Sequence, residues 1–431
     1  MHATERHDSG EPHDHLVEPP ETFADVPAGL KGVAPRIVER NGAESWVYED
    51  RILPNIANNA VVGRPPEEFG FEPTAYSQLR EATYNPDKRV EDMSADGVCT
   101  STCYPSAVGP SGQLFADAKD KKAALALLEY YNDWLIDSWC ASNPGRFIPL
   151  GIVPLWDAEL AAKEAKRIAR KGARTISLHD NFAAKGVPSI HTGYWDPLFK
   201  VMEEERLVIS AHIGTGNQAP HASPETPIDA WISTMPMSIA IAAADWLFSP
   251  VFKKFPNLKI ALAEGGVGWV PYLLERIEFT YNHHRAWTHS DFGGKTPSEV
   301  FFTHFITCFI SDDFGMKNID SLNPDMVCWE CDYPHSDSVW PKSPEALWES
   351  VKHLGKETID KISHLNTIRE FRFDPREILG RENCTVGALR AKATHVDTRL
   401  VAGRGGFDPK ASAEKRPVTS ADIQKLFTSA L

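Results

Sequence analysis

From residue 146 onward the chain alternates between two hydrophobic rhythms. Short, nearly unbroken apolar runs of strand length recur as RFIPLGIVPL (146–155), TISLHD (175–180), LVISAH (207–212), LKIALAEGG (258–266), FITCFIS (305–311) and MVCWECD (326–332). Between them lie AELAAKEAKRIARKGA (158–173), WDPLFKVMEEER (195–206), MSIAIAAADWLFSPVFKKFP (237–256) and WVPYLLERIEFTYNHH (269–284), read as helices. Continuous apolar strands alternating with helices are the pattern of a parallel sheet covered on both faces. Two earlier strands near 13–18 and 97–104 bring the count to about eight. That number predicts an α/β fold of the (β/α)8 TIM-barrel type rather than an open doubly wound sheet. No GxGxxG follows the first strand, which weakens a dinucleotide-binding alternative.

The rest of the chain is organised around that barrel. Residues 1–12 read as a disordered N-terminal tail, 13–378 as the barrel domain and 379–431 as a polar C-terminal extension with a short helix around 420–430. The segment 20–90 shows little periodicity and several Pro and Gly turns, so it reads as an insertion forming a lid over the barrel mouth.

Composition narrows the function. The net charge of −14 argues against a general nucleic-acid or anionic-membrane binder, since phosphate contacts need a basic face. No apolar run is long enough to span a bilayer, and the N-terminus lacks the apolar core of a secretory signal. Seven scattered cysteines (99, 103, 140, 308, 328, 331 and 384) read as reduced thiols of a cytoplasmic protein. Cys328 and Cys331 have CxxC spacing but no second pair, and read as part of a strand.

Ligands of parallel α/β folds sit at the carboxyl ends of the strands, and there the polar residues gather. Strand one carries His13 and His15 around Asp14, both histidines on one side by the period of two. Later strands end in His179, His212, Glu264, and the group Glu330, Asp332 and His335. Each has a bland reading: the histidine pair as a polar tail, His212 as a core histidine, Asp332 in an ion pair to an arginine such as Arg276. Together, His13, His15, His212 and Asp332 make a mixed imidazole and carboxylate set for one divalent cation, Zn²⁺ ahead of Mn²⁺. Arg89 could clamp a substrate carboxylate, Tyr104 and His179 could line the pocket, and Trp269 and Trp340 read as packing groups.

Five stretches, HDHLVEPP (13–20), RVEDMSADGV (89–98), LVISAHIGTG (207–216), FPNLKIALAEGGVGWVPYLLER (255–276) and CDYPHSDSVWP (331–341), resemble the amidohydrolase superfamily. They are most similar to the branch containing aminocarboxymuconate-semialdehyde and γ-resorcylate decarboxylases, over roughly residues 10–375. The resemblance implies the same four metal ligands and a small-molecule substrate in a homodimeric enzyme. It implies a decarboxylase (a carbon–carbon lyase) acting on a small aromatic or unsaturated carboxylic acid. A hydrolase of an amide, lactone or carbon–carbon bond, using metal-activated water, is the alternative. One departure stands out. Where the resembled decarboxylases carry histidine after strand six, this chain has Glu264, which with His335 becomes the expected proton-transfer pair.

Overall fold

The computed structural model describes residues 13–40, 43–53, 57, 59–70, 75–216, 222–402 and 416–422. Its strands are β1 (His13–His15), β2 (Arg36–Arg40), β3 (Ala43–Tyr48), β4 (Arg51–Leu53), β5 (Thr102–Tyr104), β6 (Leu150–Gly151), β7 (Thr175–His179), β8 (Val208–His212), β9 (Ile260–Ala263), β10 (Phe305–Phe309) and β11 (Val327–Trp329). Eight of them are parallel. β1 pairs with β5, and β6 to β11 form one sheet in sequence order. The two sheets are linked at both edges: Ser101 bridges to Phe147, and His15 N donates to Tyr333 O at 2.7 Å.

The apolar runs form strands because helices cover them. Every residue of β7, β8 and β10 is buried. The helix Ala158–Lys171 starts where the Asp157 carboxylate accepts from the amides of Glu159 and Leu160, and stops at Gly172 with φ 106°. Its buried face carries Ala161, Ala165 and Ile168. A side chain at Gly151 would collide with Ile168, so glycine in β6 lets helix and sheet approach closely.

The insertion after β1 is more regular than its sequence suggests. β2, β3 and β4 form an antiparallel meander, in which Ile37 faces Trp46 and Trp46 faces Leu53. Charged residues at the ends of the Arg36–Arg40 strand mask its alternation, while Trp46 and Tyr48 are buried in the main core. In the C-terminal region the helix Val386–Lys392 docks through Arg390, which reaches Asp96 O at 2.9 Å and the Glu345 carboxylate. The tail 1–12 and most of the 420–430 helix fall outside the described residues. Cys328 lies in β11, and all seven cysteines are buried and outside any disulfide. No helix among the described residues is long and apolar enough to cross a membrane.

Candidate metal centre and active site

The ends of β1, β8, β9 and β11 converge on one buried cluster. His15 Nε2 stands 3.0 Å from His212 Nε2, 3.4 Å from Glu264 Oε1 and 3.9 Å from Asp332 Oδ1. Glu264 Oε2 is 3.5 Å from His212 Nε2. His335 Nδ1 lies 2.9 Å from Asp332 Oδ1 and 3.6 Å from Glu264 Oε1. The backbone of His13 pairs with Thr102 in β1, but its side chain lies outside the described residues.

Local backbone geometry aims both carboxylates. Glu264 and Asp332, each just past a strand end, have φ of 59° and 60°. Residues other than glycine rarely adopt this left-handed conformation, and it gathers at functional sites. Asp332 begins a turn in which the amide of His335 donates to Asp332 O at 2.9 Å, bringing the ring back over the carboxylate. After Glu264 comes a loop held by Asp312, whose Oδ2 accepts from the amides of Val267 and Gly268 at 2.8 and 2.6 Å. A side chain on Gly265 would press on Ile239, so the loop needs glycine there.

The electrostatics follow from burial and proximity. Burial opposes ionisation of Glu264, yet His212 above all, then His15 and His335, hold its carboxyl well below the usual range. Burial also favours neutral His335, but the Asp332 charge and then Glu264 raise it to about 10, so the ring is an imidazolium. Burial lowers His15 to about 3 and His212 in the same direction. His212 Nδ1 pairs with Ile213 O at 2.7 Å, which places the proton there and leaves the Nε2 lone pair facing the cluster.

This arrangement fits a divalent cation. His15, Glu264, Asp332 and His335 each offer an atom within 4.8 Å of the others. Donors bound to one ion at ~2.0–2.2 Å sit roughly 3.0–3.6 Å apart, close to the separations seen here. Asp332 Oδ1 is buried without an aligned hydrogen-bond donor among the described residues, as a metal-directed oxygen would be. Asp332 faces His15 and His335 rather than an arginine among the described residues, and Arg276 stacks on Phe279.

The remaining expected residues divide. The Tyr104 ring approaches His15 and His212, with centroids 5.9 and 5.1 Å away. His179 is the β7 partner of His212 in register, so both point to the same side. It is buried with Nδ1 unpartnered among the described residues, and burial lowers its pKa to about 3. Arg89 sits differently. It is fully buried, donating to Ala82 O at 2.8 Å and to His15 O at 2.5 Å, with its guanidinium over the Tyr333 ring. Its donors are spent inside the protein, on Ala82 O, Cys103 Sγ and His15 O, so the structure gives no support to Arg89 as an open clamp for a substrate carboxylate.

Sequence reasoning passed over two supports. Asp14 accepts from Ser101 Oγ at 2.7 Å and Tyr333 N at 3.1 Å, tying β1 to its neighbours on both sides. Asp312 caps the helix Asp313–Lys317 while holding the Glu264 loop. An Asp before a short helix is a readable cap, but its second partner is visible only in three dimensions.

The fold and the imidazole–carboxylate cluster define a metal-site α/β protein, and the chain belongs to the amidohydrolase family, whose profile matches residues 74–373. It is similar to the 2-amino-3-carboxymuconate-6-semialdehyde decarboxylase of Dictyostelium discoideum, 25% identical over 80% of this chain and 90% of that protein. The solved 5-carboxyvanillate decarboxylase of Sphingomonas paucimobilis superposes with a TM-score of 0.61 at 19% identity, covering 85% of this chain and all of that one. A dihydroxybenzoic acid decarboxylase of Polaromonas sp. JS666, solved with manganese and 2-nitroresorcinol, superposes with a TM-score of 0.52 at 21% identity over 68% of this chain and 88% of that one. The resemblance read from the five sequence stretches is thereby borne out.

Proposed function

We propose that this protein is a metal-dependent decarboxylase acting on a small aromatic or unsaturated carboxylic acid. The observation that carries the reading is the buried meeting of His15, His212, Glu264, Asp332 and His335 at the strand ends. Kinship with decarboxylases of such acids supports it. His15, His212 and Asp332 would hold one divalent cation, Zn²⁺ or Mn²⁺, with His13 as the fourth donor expected from the sequence. Bound there, the cation supplies Lewis-acid polarisation and a fixed anchor for the substrate's oxygens. Glu264 and His335 hold between them a proton at the face of the site, for delivery to the carbon that loses CO₂. His335 thus provides the cationic partner that Glu264 cannot be. Tyr104 and His179 line the substrate side, and Arg89 positions the strand that carries His15.

Around this centre the eight parallel strands form a closed barrel, supported by the links at both edges of the sheet pair. The segment 20–90 acts as a lid and 379–431 as an outer extension. Buried cysteines with no disulfide among them support a reducing, cytoplasmic setting.

Purified protein is expected to hold about one divalent ion per chain, and exhaustive chelation should lower its unfolding temperature by several degrees. The metal-loaded enzyme should release CO₂ from at least one acid in a panel of hydroxybenzoates, carboxyvanillates and unsaturated dicarboxylates. Turnover of amides or lactones in a parallel panel, without CO₂ release, would instead favour the hydrolytic alternative. Chains that bind no metal and are not stabilised by it would defeat both readings.

The homodimer is supported by exposed apolar side chains on two neighbouring outer helices. Ile232, Met237 and Ile241 lie on Ile228–Leu247, and Tyr272, Phe279 and Trp287 on Val270–Thr288. An apolar surface of this kind marks an interface. Sedimentation equilibrium should give twice the chain mass of 47.9 kDa, and Tyr272→Asp combined with Trp287→Asp should shift it to the monomer. A wild-type monomer at micromolar concentration would rule the dimer out.

A further inference from the structure

Beneath the metal cluster lies an acid that the proposed chemistry does not use. Glu330 follows β11 directly and is 1% exposed. Burying a carboxyl is costly unless hydrogen bonds replace its water. Yet among the described residues its side chain makes one hydrogen bond: Oε2 accepts from the backbone amide of Glu264 at 3.2 Å. The other oxygen, Oε1, is buried without a partner there. A group this expensive, with its single bond spent on Glu264, points to what it does for Glu264.

That amide belongs to the residue whose backbone leaves strand geometry. Ala263 is the last residue of β9, still paired with His212, and Glu264 turns to φ 59°. For a residue with a side chain, the left-handed conformation is unfavourable and persists only where its surroundings enforce it. The turn is held on its far side by Asp312, through the amides of Val267 and Gly268. On its near side the acceptor is Glu330. Two carboxyl groups from separate strand ends therefore clamp the segment 264–268.

We infer that Glu330 is a positioning residue: by accepting from the Glu264 amide it holds Glu264 in its left-handed turn, and so sets the Glu264 carboxylate against His15, His212 and His335. The inference rests on the proposed role of Glu264, and its structural test is independent of that role. Glu330→Gln keeps an acceptor of the same shape, whereas Glu330→Met keeps the volume and removes the acceptor. In crystals, E330Q should retain the Glu264 turn with the amide oxygen facing Glu264 N. E330M should move Glu264 away from φ near 59° and carry its carboxylate off the histidines. On the best acid of the panel, E330Q should stay within about threefold of wild-type kcat, while E330M should lose roughly 10- to 100-fold with KM little changed. In a Glu264→Gln background, E330M should cost no more than about twofold further, because the residue it acts through is already disabled. An E330M crystal with Glu264 in place overturns the inference, as does an E330Q variant as slow as E330M. If E330M does not fold, E330Q decides: an amide nitrogen rather than oxygen turned to Glu264 N overturns it. Should E264Q itself run at full rate, the proposed role of Glu264 fails, and the position of Glu264 in E330M still tests Glu330.

Discussion

Replacing Asp332 by asparagine is expected to strip the enzyme of its metal while leaving the fold in place. Asp332 occupies a left-handed backbone position, φ 60°, which asparagine also tolerates, so the turn into Tyr333 survives the exchange. What disappears is a buried carboxyl group. Asp332 Oδ1 has no aligned hydrogen-bond donor among the described residues and lies 3.9 Å from His15 Nε2 and 2.9 Å from His335 Nδ1. A neutral amide is a poor ligand for a hard or borderline divalent ion. Loss of this carboxylate should weaken metal binding by at least about 100-fold, since even residues that merely support a ligand are worth ~10–100-fold. CO₂ release should fall by roughly 10³-fold or more. Metal analysis after gel filtration and circular dichroism on the same sample check both halves. A D332N protein that retains stoichiometric metal and near-normal turnover would remove Asp332 from the centre.

Glu264→Gln should separate chemistry from metal binding. The carboxylate stands within 3.4 to 3.6 Å of three imidazoles, from His15, His212 and His335. Glutamine preserves the shape and the turn but can neither take up the proton nor offset the His335 charge. The expected result is metal content within a few-fold of wild type and a loss in kcat of about 10²–10⁴, the usual worth of a positioned acid–base group. Single-turnover CO₂ release on metal-loaded protein measures it. If E264Q loses its metal instead, Glu264 is a ligand; if it keeps full rate, Glu264 takes no part in proton transfer.

Much of this architecture is legible in the chain because strands covered on both faces must be apolar throughout. β7, β8 and β10 announce themselves that way, and polar residues closing such runs, His212 and Glu264 among them, mark the end of the sheet where ligands bind. The strand Arg36–Arg40 is hidden because it is short, charged at both ends and belongs to a separate small sheet. Arg89 shows a different limit. An arginine after the inserted segment is visible in the sequence, but whether its fork points into a pocket or back at His15 O depends on packing that periodicity does not encode. Glu330 is hidden for the same reason: alternation along a strand gives a side chain's face, not the backbone amide that it meets.

The hydrogen bond from His15 N to Tyr333 O, with Asp14 accepting from Tyr333 N, joins the first parallel strand to the loop that follows the last. Asp14 and Tyr333 are 319 residues apart in the chain. At ~5–20 residues per second, ribosomal synthesis delivers the second side of the cluster between about 15 and 60 s after the first. Until Asp332 and His335 have been made, a nascent chain therefore exposes isolated histidines and never the assembled cluster.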